Sequence, residues 1–376
     1  MRLNVQDWRL GARKALPRFV FEYVDGAAET EECLRANRAD FDAMRLTPRV
    51  LRDTSGLDTS IEVFGQTWRW PFAIAPTGLN GLIRPGADGM LARAAAAMGV
   101  PFTLSTASNQ RLEEVRALAP QGQQWLQLYV MQDRSLAQQL VQRARSAGHT
   151  ALVLTVDVPI SGRRWRDARN GFSLPFRLTP RLIADVARRP AWALRMLGQG
   201  SPQFVNLQPD TDAALSAQAQ AALLSRTMDR SLAWDSLRWL RELWDGPLLL
   251  KGVLHPDDAK LAASHGVDGL IVSNHGGRQS DASPSAISAL GPVAEAVPRL
   301  PVFLDSGVRG GADVLRAQSL GARAVFLGRP VLYGLACDGE EGAASVLRLF
   351  ASDYETNLIL QGLSSAKDAI HPTTKP

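Results

Sequence analysis

The chain is poor in cysteine, histidine and tyrosine, and each shortage narrows the chemistry open to it. Only Cys33 and Cys337 occur among 376 residues. Two cysteines make neither a disulfide framework nor a cysteine-based metal centre. The expectation is a reducing compartment, the cytoplasm, with no bound metal. Long hydrophobic runs are missing as well. Nothing approaches the ~18 uninterrupted apolar residues of a spanning helix, so the chain is not expected to be integral to a membrane. Residues 1–7 show no apolar run of the secretory kind, and no signal peptide is expected. Zinc-finger spacing, an RNP box and a basic zipper are absent, so the net charge of +5 does not imply a nucleic-acid partner. Only residues 364–376 read as loose.

What is present is ordinary in amount and ordered in pattern. Hydrophobic residues make up 45% and charged residues 21%, as in globular proteins generally. Short apolar runs at 72–76, 101–105, 125–130, 151–156, 247–251, 268–273, 301–305 and 324–328 read as eight strands. Several are apolar throughout, which suits strands buried on both faces of a parallel sheet. Amphipathic helical patterns lie between them at 88–98, 112–118, 134–147, 257–264, 285–297, 312–320 and 340–360. Glycines such as Gly99 and Gly148 close helices just before a strand, while Asp133 and Pro256 open them. Eight such units predict an α/β fold, a (β/α)8 TIM barrel. A doubly wound open sheet is the alternative. One domain, 1–376, is expected, with a barrel over about 70–360 and an N-terminal helical extension. A long insertion, about 159–231, separates strand four from its helix at 234–244.

In such barrels the chemistry sits at the C-terminal strand ends. Each strand here delivers polar groups to that mouth: Thr77, Ser105 and Thr106, Gln127 and Tyr129, Thr155 and Asp157, Lys251, then Ser273 to Arg278, Asp305 to Arg309, and Gly328 with Arg329. Glycine and arginine after strands seven and eight mark a phosphate site, where backbone amides and a helix N-terminus favour an anion. His275 follows a buried strand and precedes two glycines. It is the natural proton handler, with Asp157 placed to orient it. The other histidines flank helix ends or the tail. Arg278 and Arg164 can fork a carboxylate. Lys251, ending an apolar strand, needs a negative or electron-accepting neighbour to repay its burial. Tyr23 and Tyr129 are two of only four tyrosines, each able to donate to a substrate oxygen, although simple packing would explain Tyr23 equally well.

The run Ser273-Asn274-His275-Gly276-Gly277-Arg278-Gln279 resembles the signature of the FMN-dependent 2-hydroxy acid dehydrogenases and oxidases. It is joined, in that family's order, by Gln127-Leu128-Tyr129, Thr155-Val156-Asp157, Lys251-Gly252 and Asp305-Ser306-Gly307-Val308-Arg309. The resemblance runs from about residue 7 to 360. Pro76-Thr77-Gly78-Leu79-Asn80-Gly81 and Leu104-Ser105-Thr106-Ala107-Ser108-Asn109 bring it nearest to the mandelate-oxidising branch, with the lactate-oxidising branch next. The chain departs from the family pattern at Asp25, Ala27, Ser280 and Gly310.

The resemblance implies FMN across the strand ends, lined by Ala75, Pro76, Thr77, Gly78, Ser105, Gln127, Thr155, Lys251 and Ser273. Asp305, Gly307, Arg309, Gly328 and Arg329 would hold ribityl and phosphate. His275 would be the base with Asp157 behind it. Arg164 and Arg278 would take the substrate carboxylate, helped by Tyr23 and Tyr129. Ala107, where relatives of smaller substrates carry a bulky aromatic, implies room for a phenyl ring, and Gly78 implies a dehydrogenase rather than an oxidase. The expected reaction is oxidation of (S)-mandelate or a similarly large (S)-2-hydroxy acid to the 2-oxo acid, with a quinone-type acceptor. A homotetramer is expected by the same resemblance. Residues about 176–199 hold Arg177, Arg181, Arg188, Arg189 and Arg195 among Leu182, Ile183, Trp192 and Leu197, opposed only by Asp185. Such a basic amphipathic stretch suits peripheral contact with the inner face of a membrane, or equally a lid. Rival readings are an FMN- or phosphate-binding isomerase barrel and a non-catalytic phosphate-binding module.

Overall fold

A computed structural model describes residues 1–172, 179–198, 202–207 and 228–370. Three helices, α1 (Val5–Ala15), α2 (Arg18–Asp25) and α3 (Glu32–Ala43), precede a hairpin of β1 (Ile61–Val63) and β2 (Gln66–Trp68). Eight strands follow: β3 (Phe72–Ile74), β4 (Phe102–Ser105), β5 (Gln124–Leu128), β6 (Ala151–Thr155), β7 (Leu248–Val253), β8 (Gly269–Val272), β9 (Val302–Leu304) and β10 (Ala324–Leu327). They pair in parallel and in chain order, and β10 returns to β3 to close the barrel. The fold is therefore the (β/α)8 barrel, and the open-sheet alternative is excluded by the β10–β3 pairing. Every expected strand is present, with ends shifted by one or two residues; most are trimmed, while β5 starts one residue early and β7 runs two residues further, to Val253.

The helices around it are α4 (Ala87–Met98), α5 (Leu112–Leu118), α6 (Arg134–Ala147), then α7 (Trp165–Arg169), α8 (Pro180–Ala187) and α9 (Pro190–Met196) in the insertion. After it come α10 (Ser236–Leu243), α11 (Pro256–Ser264), α12 (Ala286–Ala296), α13 (Gly311–Ser319) and α14 (Arg329–Leu360). Local chemistry explains their ends. Asp133 accepts from the Ser135 amide at 2.9 Å to open α6. The last helix starts earlier than its pattern suggests, because Pro330 and Gly334 break the apolar period before residue 340. Gly339 (φ +67°) makes a kink there, in a conformation most side chains avoid.

The hairpin, unforeseen from the sequence, plugs the N-terminal end of the barrel. Trp68 is fully buried, with ring centroids 5.4 Å from Trp125 and 5.9 Å from Phe303. Each such pair adds roughly 0.5–1.5 kcal/mol beyond area burial. With that end filled, the barrel's own opening is its C-terminal mouth. The tail is a correction. Residues 364–370 are docked rather than loose, since Ala366 and Ala369 are buried and Gln318 Nε2 donates to the Ala366 carbonyl at 3.3 Å. In the insertion, Trp192 is buried with Nε1 donating to the Leu82 carbonyl at 3.0 Å. It meets Phe19 edge-on at 5.9 Å, so α9 is seated on α2. Ile183, Leu194 and Leu197 are exposed. Phe176, Arg177, Leu178 and Gln199 of the basic stretch lie outside the described residues, as does His371.

One buried group outside the mouth sets an acid limit. His149 is buried. Burial, reinforced by Arg116, pushes its imidazole down to about 4. The unfolded chain takes up that proton near the ordinary ~6.5. Between those values the unfolded state binds more protons, so stability falls as pH drops through the window. The expected loss is on the order of 3 kcal/mol between about pH 6.5 and 4. Denaturant unfolding across that range should show the slope in the parent and a flatter curve in His149→Phe.

Candidate active site

The pairing of the strands sets polar side chains level at the mouth. Ser105 is registered with Gln127 across β4–β5, and Thr155 with Lys251 across β6–β7. Ser105 Oγ donates to Gln127 Oε1 at 3.0 Å. A register shift after Lys251 falls at Gly252 (φ +108°), where a Cβ would stand 2.6 Å from that of Asp157. Only glycine allows Asp157 so close to the end of β7.

Lys251 is the charge around which this mouth is arranged. It is 3% exposed. Its Nζ lies 2.9 Å from Ser273 Oγ and 3.1 Å from Asp305 Oδ2. Burial opposes its charge, but Asp305 and Asp157 outweigh burial and hold the ammonium above its ordinary range. Burial likewise pushes the Asp157 carboxyl up. His275 and Lys251 outweigh that, and Asp157 stays below the usual carboxylate range. Asp157 Oδ1 is 3.0 Å from His275 Nδ1, so Asp157 selects the tautomer and leaves Nε2 as the other working nitrogen. His275 itself is left-handed (φ +57°) at the start of a short turn.

Arginines supply the rest of the field. Arg278 Nη1 donates to the carbonyls of Tyr23 at 2.7 Å and Gly26 at 3.0 Å. Burial, with Arg164 nearby, lowers its guanidinium to about 10. Both arginines lie against the Tyr23 ring, Arg278 at 5.0 Å and Arg164 at 5.4 Å from its centroid. Phe172 stacks on the same ring at 4.7 Å. Arg164 Nε is also 2.6 Å from Asp167 Oδ2. Tyr23 Oη reaches the Gly78 carbonyl only at 3.5 Å, and burial raises the Tyr129 hydroxyl. Arg309 is lowered to about 10, chiefly by burial. Among the described residues no carboxylate pairs with Arg278, Arg309 or Arg329. Three guanidiniums thus face one cavity without a counter-ion.

That cavity, about 1080 Å³ with its open mouth, is lined by most of the residues singled out in the sequence: Tyr23, Ala75, Pro76, Thr77, Gly78, Ser105, Ala107, Tyr129, Arg164, Lys251, His275, Arg278, Asp305, Gly307, Arg309, Gly328 and Arg329. Asp157, Gln127 and Ser273 are not in the lining but are hydrogen-bonded to His275, Ser105 and Lys251, which are; Thr155, level with Lys251 across β6–β7, lines a neighbouring cavity with Tyr129 and Asp229. The cavity also has an apolar wall of Val24, Ile83, Phe326 and Leu332, which carry no chemical signal in sequence. Two details of the anion cradle differ from expectation. The N-terminus of α13 is already occupied, because the amides of Gly311 and Ala312 donate to Asp353. Arg329 spends its donors on the carbonyls of Val24 (3.0 Å), Gly276 (3.0 Å) and Gly26 (2.7 Å). The start of α14 has no such side-chain cap.

The model of the family described as FMN-dependent dehydrogenase matches residues 12–374. The chain is 44% identical over 357 residues to (S)-mandelate dehydrogenase of Pseudomonas putida, covering 94% of this chain and 89% of that one. It is also 44% identical over 362 residues to L-lactate dehydrogenase of Caulobacter vibrioides, covering 96% and 94%. Among solved structures it resembles the monotopic membrane protein (S)-mandelate dehydrogenase, with a TM-score of 0.93 and 42% identity over 96% of each chain.

The Lys251–Asp305 pair has a testable energetic consequence. Breaking a buried pair strands the remaining charge, so Lys251→Met is expected to cost ~3–5 kcal/mol in denaturant unfolding. Adding Asp305→Asn should recover more than half of that loss. A single variant as stable as the parent would refute the compensation.

Proposed function

The chain belongs to the FMN-dependent dehydrogenase family, and from that premise we propose how its own residues serve the reaction and which acid it takes. It is an FMN-dependent oxidoreductase acting on the CH–OH group of a 2-hydroxy acid. The residues present fit the cofactor. Thr77 Oγ1, Gln127 Nε2 and Thr155 Oγ1 are buried polar atoms without a hydrogen-bond partner, the condition expected of groups awaiting a ligand. Ala75, Pro76, Thr77, Gly78, Ser105, Gln127, Thr155, Lys251 and Ser273 would hold the flavin ring. Asp305, Gly307, Arg309, Gly328 and Arg329 would hold its ribityl phosphate, with Arg309, whose Nη1 donates to the Val308 carbonyl at 2.8 Å, as the cation for it. When bound, FMN supplies the two-electron acceptor.

The observation that carries the mechanism is the His275–Asp157 pair, 3.0 Å apart, beside a buried Arg278 that no carboxylate neutralises. Arg278 and Arg164 bind the substrate carboxylate, and a buried guanidinium gains most from such a partner. Tyr23 and Tyr129 hydrogen-bond the substrate oxygens. His275 Nε2 takes the proton from the substrate, and Asp157 stabilises the imidazolium that forms. The apolar wall of Val24, Ile83 and Leu332 keeps water from the reacting carbon.

Ala107 and Gly78 set the size of acid admitted. A Cβ on Gly78 would lie 2.8 Å from that of Ala107, so the two small residues pack directly together at one edge of the cavity, and the short Ala107 side chain there is what supports a bulky substrate. The proposed substrate is (S)-mandelate or an acid of similar bulk. L-lactate is the second reading, favoured by lactate dehydrogenases of equal identity. The acceptor proposed is a quinone. The exposed Arg181 and Ile183 on α8, Leu194 on α9, and Arg188 and Leu197 capping their C-terminal ends support contact with an anionic membrane face. No helix among the described residues is long and apolar enough to cross a membrane.

Anaerobic flavin bleaching with mandelate, lactate, glycolate and longer hydroxy acids tests the substrate. Mandelate is expected to act at least ~10-fold more efficiently than lactate. His275→Gln should stay yellow but lose ~10²–10⁴-fold in bleaching rate. A preference for lactate selects the second reading, and no bleaching by any acid removes both. For the membrane patch, sedimentation with phosphatidylglycerol vesicles should fall in Ile183→Glu/Leu194→Glu/Leu197→Glu. Equal binding by parent and variant would place the contact elsewhere.

A further inference from the structure

Ser306 stands in the left-handed region (φ +74°) although it is not glycine. It sits at the end of β9 and is buried. Its hydroxyl donates to Asp305 Oδ1 at 2.8 Å and accepts the Gly276 amide at 2.9 Å. The neighbouring amide, His275 N, donates to Ser273 Oγ at 3.0 Å. Both amides of the left-handed turn at His275 and Gly276 (φ +57° and +66°) are therefore held by serine hydroxyls. Lys251 joins the two holders, since its Nζ contacts Ser273 Oγ at 2.9 Å and Asp305 Oδ2 at 3.1 Å. A closed ring results, running Gly276, Ser306, Asp305, Lys251, Ser273 and His275.

A backbone conformation that costs energy at a buried residue persists only where surrounding contacts over-determine it. Here the strained residue supplies the contact itself. With its one proton committed to Asp305 Oδ1, the Ser306 oxygen presents lone pairs to Gly276. From this ring we infer that Ser306 is a positioning residue for the base: it fixes the turn that aims His275 at the substrate. It also ties the position of that turn to the Lys251–Asp305 pair at the adjacent strand ends. The inference rests on the proposed role of His275 as base. A glycine would adopt the same backbone more easily than serine, so a purely architectural need at this position would be met without the hydroxyl.

That contrast supplies the experiment. Ser306→Gly keeps the backbone and removes the hydroxyl, whereas Ser306→Ala removes the hydroxyl and keeps the strain. In holoenzyme carrying either variant, the Gly276 amide is expected to exchange with solvent deuterium at least ~10-fold faster than in the parent. Saturating turnover should fall ~10-fold in both, with KM for the hydroxy acid within ~2-fold of the parent. The thermal midpoint of Ser306→Gly should lie at or above the parent's, separating lost turnover from lost stability. Unchanged exchange at Gly276 overturns the assignment. So does faster exchange with parental turnover, or a loss of turnover that follows the thermal midpoint. A parent enzyme whose flavin no 2-hydroxy acid bleaches would overturn the functional reading instead, while exchange at Gly276 would still decide whether the hydroxyl holds the turn.

Discussion

A lysine ammonium removed from water at the end of an apolar strand is the constraint that organises this mouth. Lys251 is tolerable only because Asp305, Asp157 and Ser273 surround it. Those partners are recruited from β6, β8 and β9, so compensating one charge fixes the relative heights of four strand ends. Asp157 then has a second obligation toward His275. His275, the Asp157 carboxylate and the buried Lys251 are thus one electrostatic unit rather than three separate placements.

The arginine side has its own logic. The C-terminal end of α2 offers carbonyls without helical partners, and Arg278 and Arg329 take them: Tyr23, Val24 and Gly26 all accept. Guanidiniums suit the negative end of a helix dipole. Asp25 reinforces the same corner from behind. It is held down to about 2, burial being outweighed by Arg9 and Tyr333, and Tyr333 donates to it at 2.8 Å. Tyr23 is in this way presented to the cavity by a helix end that is bonded on both sides. The corner is polar and buried, yet its members are satisfied.

Much of this was legible in the sequence, for physical reasons. The eight strands could be read because a parallel barrel buries both faces of each strand, which leaves continuous apolar runs. The residues of the mouth could be read because polar groups ending such runs have nowhere to point but the opening. The hairpin at Ile61–Val63 and Gln66–Trp68 was not legible, since three-residue strands carry too little alternation to stand out. Val24, Ile83, Phe326 and Leu332 could not be told from core. The first half of α14 was hidden by Pro330 and Gly334. The occupied N-terminus of α13 was also beyond reach. It depends on Asp353, some forty residues away in sequence, and nothing local announces that partner.

The bonds from Arg329 to Val24 and Gly26 join residues more than 300 positions apart. During synthesis the segment bearing Tyr23 leaves the ribosome long before the arginine that fastens it exists. Closing so large a loop is slow and comes late. Arg329 follows closely on β10, the strand whose pairing with β3 closes the barrel, so closure of the barrel and fastening of the Tyr23 corner come together, and a chain ending before β10 would lack both.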